Sequence, residues 1–140
     1  MKSTYQILTK DLDGAPVAKN VIFKDYTSEY KMLFDLEIDL NLFDFPICKR
    51  VILASNLLTK NITEICDKID KLSSLSEIVV VLDYYSLLDA VNKLFIKRVL
   101  QAVGLIQNVH PEIAFVITMS ELNDTTIYEQ YKKYLKEYGL

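Results

Sequence analysis

Asp83, Tyr84, Tyr85, Ser86 and Asp89 follow directly on the unbroken apolar run Ile78, Val79, Val80, Val81 and Leu82. A run of β-branched and aliphatic residues without alternation is how a strand buried on both faces reads, and open α/β sheets carry their sites at the carboxyl ends of such strands. Thr118, Ser120, Glu121 and Asp124 follow a second apolar run at 113–117 and fall at the same polar end. Acids, hydroxyls and phenols gathered there are the side chains of a magnesium-dependent nucleotide site, a phosphoacceptor or a protein contact. The first two chemistries need companions elsewhere in the chain.

Nucleotide hydrolysis needs a glycine-rich loop whose backbone amides cradle phosphates. The chain has three glycines, Gly14, Gly104 and Gly139, and none belongs to a G-x-x-x-x-G-K-[ST] or G-x-G-x-x-G string. Gly14 with Lys19 is the nearest approach and is too degenerate. A receiver-like phosphoacceptor using Asp83, with Thr118 or Ser120 downstream, also needs acids at the end of the first strand of the same half. That strand ends in Ala54, Ser55 and Asn56. Cys48 and Cys66 stand 18 apart with no C-x-x-C pair or clustered histidines, so they read as buried thiols and make neither a metal site nor a redox motif. The one histidine, His110, precedes Pro111 in a turn with no nucleophile beside it and reads as a surface residue. No catalytic, cofactor-binding or metal-binding residues are expected, and the chain reads as a non-enzyme.

The totals fit a single folded unit spanning residues 1–140. Hydrophobic residues make up 51% and charged residues 25% of the chain, which is globular composition. A net charge of -3 without a basic stripe disfavours nucleic acid as a partner. Polar Lys2, Ser3 and Thr4 followed by Asp11 and Asp13 lack the core of a signal peptide, and no run approaches a transmembrane length. A soluble, cytoplasmic protein with no membrane contact is the expectation.

Two halves position these residues. In residues 1–48, strands are expected over 5–9 and 17–23, and a half-buried strand over 31–40. There Met32, Phe34, Leu36, Ile38 and Leu40 alternate with Lys31, Asp35, Glu37 and Asp39. They read as antiparallel. From Arg50 the texture becomes alternating strand and helix, which predicts parallel pairing over 49–140. A strand at 51–54 leads to a helix capped by Thr59 or Asn61, with Ile62, Ile65, Cys66, Ile69 and Leu72 on its apolar stripe. After Asp89 a helix carries Val91, Leu94, Phe95, Val99, Ala102, Val103 and Ile106 on one side and Lys93, Lys97 and Arg98 on the other. A closing helix bears Tyr128, Tyr131, Tyr134 and Tyr138, read either as a docking surface or as core packing, and Gly139 suits a C-terminal cap. The fold class is α/β, a mixed sheet with parallel central strands and helices, plus N-terminal antiparallel strands.

The order and spacing of elements from Val51 onward resemble the STAS domain, the family of anti-sigma factor antagonists and related regulatory modules. In that family a strand, a short turn, a helix and a buried strand lead to the motif D-S-S-G opening a second helix. A further strand and a last helix follow. Here Asn56-Leu57-Leu58-Thr59 occupies the first turn, Asp89 matches the motif's aspartate, and Asn92 takes the glycine's place. The serine that accepts phosphate in switched members stands here as Ala90, which has no oxygen to phosphorylate. The resemblance therefore implies a regulatory protein-binding module that phosphorylation does not switch at that position. Its partner surface is placed on Tyr84, Tyr85, Ser86, Asp89, Asn92 and Lys93, and its partner is another protein or a second copy of this chain in a homodimer. Asp89 also suits a helix-capping role. Two alternatives stand beside this reading: a degenerate nucleotide-binding or receiver-like domain using Asp83 and Thr118, and a structural subunit that oligomerises through the tyrosine helix or an exposed strand edge.

Overall fold

The computed structural model describes residues 17–25, 27, 49–82, 89–119 and 125–139, with 89–92 and 125–128 described as helix backbone only. The expected strands at 5–9 and 31–40, Cys48 and residues 83–88 and 120–124 lie outside the described residues. Strand β1 (Ile22–Phe23) precedes β2 (Arg50–Ala54), helices α1 (Ser55–Lys60) and α2 (Ile62–Asp70), and β3 (Glu77–Leu82). Helix α3 (Asp89–Val109), β4 (Ala114–Met119) and α4 (Thr125–Glu137) complete the described order.

All pairings among these four strands are parallel, in the order β1-β4-β3-β2. Three apolar runs lie side by side in strict register: Val51, Ile78 and Phe115 form one row, and Ile52, Val79 and Val116 the next. Side chains alternate across a strand, so neighbouring rows face opposite ways. The row of Val51 and the row of Leu53, Val80 and Ile117 enter a large core with Leu58, Ile65, Cys66, Ile96, Val103, Tyr131 and Leu135 from all four helices. Ile52, Val79, Val81 and Val116 form a separate cluster on the other side, which no helix side chain joins among the described residues. Strands β2, β3 and β4 step in one direction across the sheet, so crossovers of one hand keep their helices on one face.

Helix α3 spans roughly 30 Å at 1.5 Å per residue. Residues 99–106 are buried on every side, because the sheet lies beneath them and α1 and α4 pack against the helix. The segment before β1 completes the enclosure. The Ala18 amide donates to the Leu100 carbonyl at 3.0 Å. The Gln107 side chain then grips Lys19 from both sides, accepting from its amide at 3.1 Å and donating to its carbonyl at 2.6 Å. Asn20 takes φ +57°, a left-handed turn that asparagine tolerates, and the chain enters β1.

Several expectations change at this point. The one described strand of the N-terminal half, Ile22–Phe23, runs parallel to β4, where antiparallel strands were expected. The four residues placed in a first turn, Asn56 to Thr59, are helical in α1, because turning immediately after β2 brings Leu58 into the core. Neither Thr59 nor Asn61 caps α2 with its side chain. The Thr59 hydroxyl bonds the Ser55 and Asn56 carbonyls of its own helix, and Asn61 is the joint between α1 and α2. Leu94, placed on the apolar stripe of α3, is 51% exposed. Tyr131 and Tyr134 are core residues and Tyr138 packs against that core, so these three tyrosines of the closing helix take the packing alternative, while the Tyr128 side chain lies outside the described residues. Gly139 does end α4, at φ +84° with its amide bonded to the Lys136 carbonyl.

Candidate functional site

The carboxyl end of the sheet is built from the last residues of β2, β3 and β4. Ala54, Val81 and Thr118 are in register there, on the side away from the helices. Thr118 was expected beyond its strand, but β4 continues to Met119 and Thr118 is fully buried within it. Among the described residues its Oγ1 has no hydrogen-bond partner. Burying an unpartnered hydroxyl costs about 1–3 kcal/mol, so the position is one where stability has been spent. A hydroxyl shut inside the sheet is not placed to meet a phosphate in solvent, which weighs against the role considered for it in a nucleotide site.

Helix α3 rises from the same end. Its described span begins at Asp89, the residue matched to the family motif, and Asp89, Asn92 and Lys93 occupy positions three and four apart, on one helix face. Lys93 is exposed, and its Nζ lies 3.3 Å from Glu137 Oε2 at the end of α4. Tyr84, Tyr85, Ser86 and Asp83 fall outside the described residues, as do Ser120, Glu121 and Asp124. The described structure thus gathers Asp89, Asn92 and Lys93 at the start of α3, while Thr118 lies inside the sheet.

The opposite, amino end of the sheet holds a cluster that sequence reasoning missed. His110 Nε2 lies 2.9 Å from Asp70 Oδ1 and its Nδ1 lies 3.1 Å from Glu112 Oε1. Both contacts are filled by N–H donors only when the ring carries two protons. Glu112's carboxyl is held below its ordinary value, first by its own backbone amide and then by the bond to His110. Asp70 and His110 are 40 residues apart, so no local spacing announces the pair. The one available signal is that each stands at or just beyond the end of a helix that returns to this side of the sheet. The two carboxylates sit at opposite ring nitrogens and do not converge on one point. No group of three His, Cys, Asp or Glu among the described residues can hold a metal ion. A shallow recess of about 410 Å³ adjoins, lined in part by Lys19, Gln107, Glu112 and Ala114.

Cys66 is a free thiol inside the core. Burial, with smaller contributions from Asp70 and Asp67, pushes its pKa up to about 12. A thiol held protonated in this way is neither nucleophile nor ligand. No described helix is long and apolar enough to cross a membrane. The chain matches no protein-family model, no curated protein and no solved structure.

Proposed function

We propose that this protein is a non-enzymatic, STAS-like regulatory module that works by binding another protein. The contact is made at the carboxyl end of the sheet by Tyr84, Tyr85, Ser86, Asp89, Asn92 and Lys93. The observation that carries the reading is the element order from Arg50 to Glu137, a strand, two helices, a strand, a helix, a strand and a helix, in which Asp89, the residue that matches the motif's acid, lies in the helix that follows β3. Support also comes from the general tendency of parallel sheets to present their sites at this end. Ala90 has no acceptor oxygen, so partner binding here is constitutive with respect to phosphorylation at that residue.

The test is affinity capture of the protein partner with the wild-type chain and with Asp89→Lys, followed by a measured Kd for the recovered pair. Charge reversal at Asp89 is expected to weaken binding about tenfold or more while the circular dichroism spectrum and Tm stay at wild-type values. Loss of partner and fold together would leave Asp89 only a capping role. A thermal shift with magnesium and a nucleoside triphosphate, abolished by Asp83→Asn, would replace this reading with nucleotide binding.

A further inference from the structure

We propose that the outward surface shared by α3 and α4 docks an acidic protein segment that carries an apolar anchor. The inference rests on the reading of this chain as a binding module and names the chemistry of its partner. Leu94 is one of two large apolar side chains exposed among the described residues, at 51%. A lone exposed leucine is ordinary. What distinguishes this one is its rim. Lys93 precedes it and Lys97 lies one turn on, and both are exposed.

The ion pair between Lys93 and Glu137 joins this stretch to α4, whose outward side carries Lys133 and Lys136. Those two lysines, with Glu129, Lys132 and Glu137, line a shallow recess of about 520 Å³. Across both helices, five lysines and Arg98 meet Asp89, Glu129 and Glu137. That is an excess of three positive charges on a chain whose total is -3, so the remaining residues sum to -6. A basic surface concentrated on an acidic protein steers an acidic partner to one face and repels it from the others.

The chemistry selects among anions. The exposed basic groups are lysines, hydrated point charges without the bidentate fork that reads phosphate, Arg98 beside Lys97 is half-buried, and no described aromatic side chain stands exposed here as a platform for bases. One leucine supplies about 1.5–3 kcal/mol on burial, too little to hold a protein on a lipid surface but adequate as one anchor within a protein contact. A helical segment with a leucine row edged by glutamates meets both features at once.

The experiment measures fluorescence anisotropy of a labelled helical peptide bearing a leucine row edged by glutamates, at low and high salt, against the full chain. Wild type is expected to bind it, more weakly at high salt. Lys97→Glu/Lys133→Glu/Lys136→Glu, which leaves Lys93 of the carboxyl-end surface in place, is expected to lose about tenfold or more in affinity, and Leu94→Ser several-fold with the salt dependence retained. Lys→Gln versions of the same three positions, which introduce no repulsion, are expected to fall between. A peptide with alanine in place of leucine should match the Leu94→Ser result on wild type. Equal binding by wild type and the triple variant overturns the proposal, as does preference for single-stranded DNA or for anionic phosphatidylserine vesicles over the peptide. Asp89→Lys separates this inference from the one beneath it. If that variant keeps the captured partner while the lysine variants lose it, the carboxyl-end reading fails and this surface stands. If the lysine variants keep both peptide and partner while Asp89→Lys loses the partner, this surface alone fails.

Discussion

The two faces of the sheet are made from the same kinds of residue and do different work. On one, alternate residues of β2, β3 and β4 enter a core shared with all four helices, from Val51 and Phe115 at one end to Leu82 and Met119 at the other. On the other, the rows are graded. Arg50 pairs with Glu77 beside exposed Ala114, then come Ile52, Val79 and Val116, then Val81 with the buried hydroxyl of Thr118. A continuous apolar run therefore conceals a difference that only the register reveals. The strand rows on the helix face are apolar from end to end, while those on the other pass from charge at the amino end to the Thr118 hydroxyl, unpartnered among the described residues, at the end where the candidate site lies.

Truncation should break this comparison or sharpen it. Phe115→Ala, on the helix face, is expected to lower the unfolding free energy by about 3–5 kcal/mol in urea denaturation, because it opens a cavity among residues fixed by several helices. Val79→Ala, also fully buried but on the second face, should cost about 2 kcal/mol. Equal losses after allowing for side-chain volume would erase the distinction.

A polar atom sits on each face, and the two should respond differently. Cys66 belongs to the helix face, and its folded pKa is raised from 9.0 to about 12. Its protonated thiol contributes stability that is fully present below about pH 9 and is lost as pH rises toward 12. Cys66→Ala, compared with wild type across that window by denaturant titration, should therefore lose less stability as the solution becomes alkaline. Thr118→Val replaces a hydroxyl that is unpartnered among the described residues with a methyl group of similar volume on the second face. It is expected to raise stability by about 1 kcal/mol, and a loss of that size would show that the hydroxyl is satisfied after all.

The smallest effect belongs to the amino end. Glu112's carboxyl has its folded pKa lowered from 4.5, so its contribution is present above that value and fades as pH falls below it. Glu112 is exposed, and Glu112→Gln should only slightly flatten the acid limb of the stability profile, read from Tm between pH 5 and pH 3 relative to wild type.

Much of the C-terminal half was legible because its periods are clean. The apolar runs of β3 and β4 and the stripe Ile62, Ile65, Cys66 and Ile69 buried the residues their spacing named, with Ala114 of the β4 run the exception. Three signals misled for physical reasons. Leu94 fits the apolar stripe of α3 by spacing yet lies outward, since the enclosure of that helix is tightest only over 99–106. Thr118 reads as the polar end of a strand by residue type, whereas register with Val81 carries it inside. Asn56 to Thr59 read as a turn, but the demand to bury Leu58 made it helix. At the candidate site, Asp89 was legible from its place after the β3 run, and Lys93 from the charged side of α3. The tie from Lys93 to Glu137 and the clasp of Asp70, His110 and Glu112 depend on long-range approach, for which local spacing carries no signal.

Amide hydrogen exchange of the chain, alone and saturated with its captured protein partner, tests the central claim most directly. The account predicts new protection concentrated in the first two turns of α3 from Asp89 and in the segment that joins β3 to it, with the amino end of the sheet unchanged. Protection confined instead to the turn around His110 and Glu112, with the start of α3 exchanging as in the free protein, would contradict it.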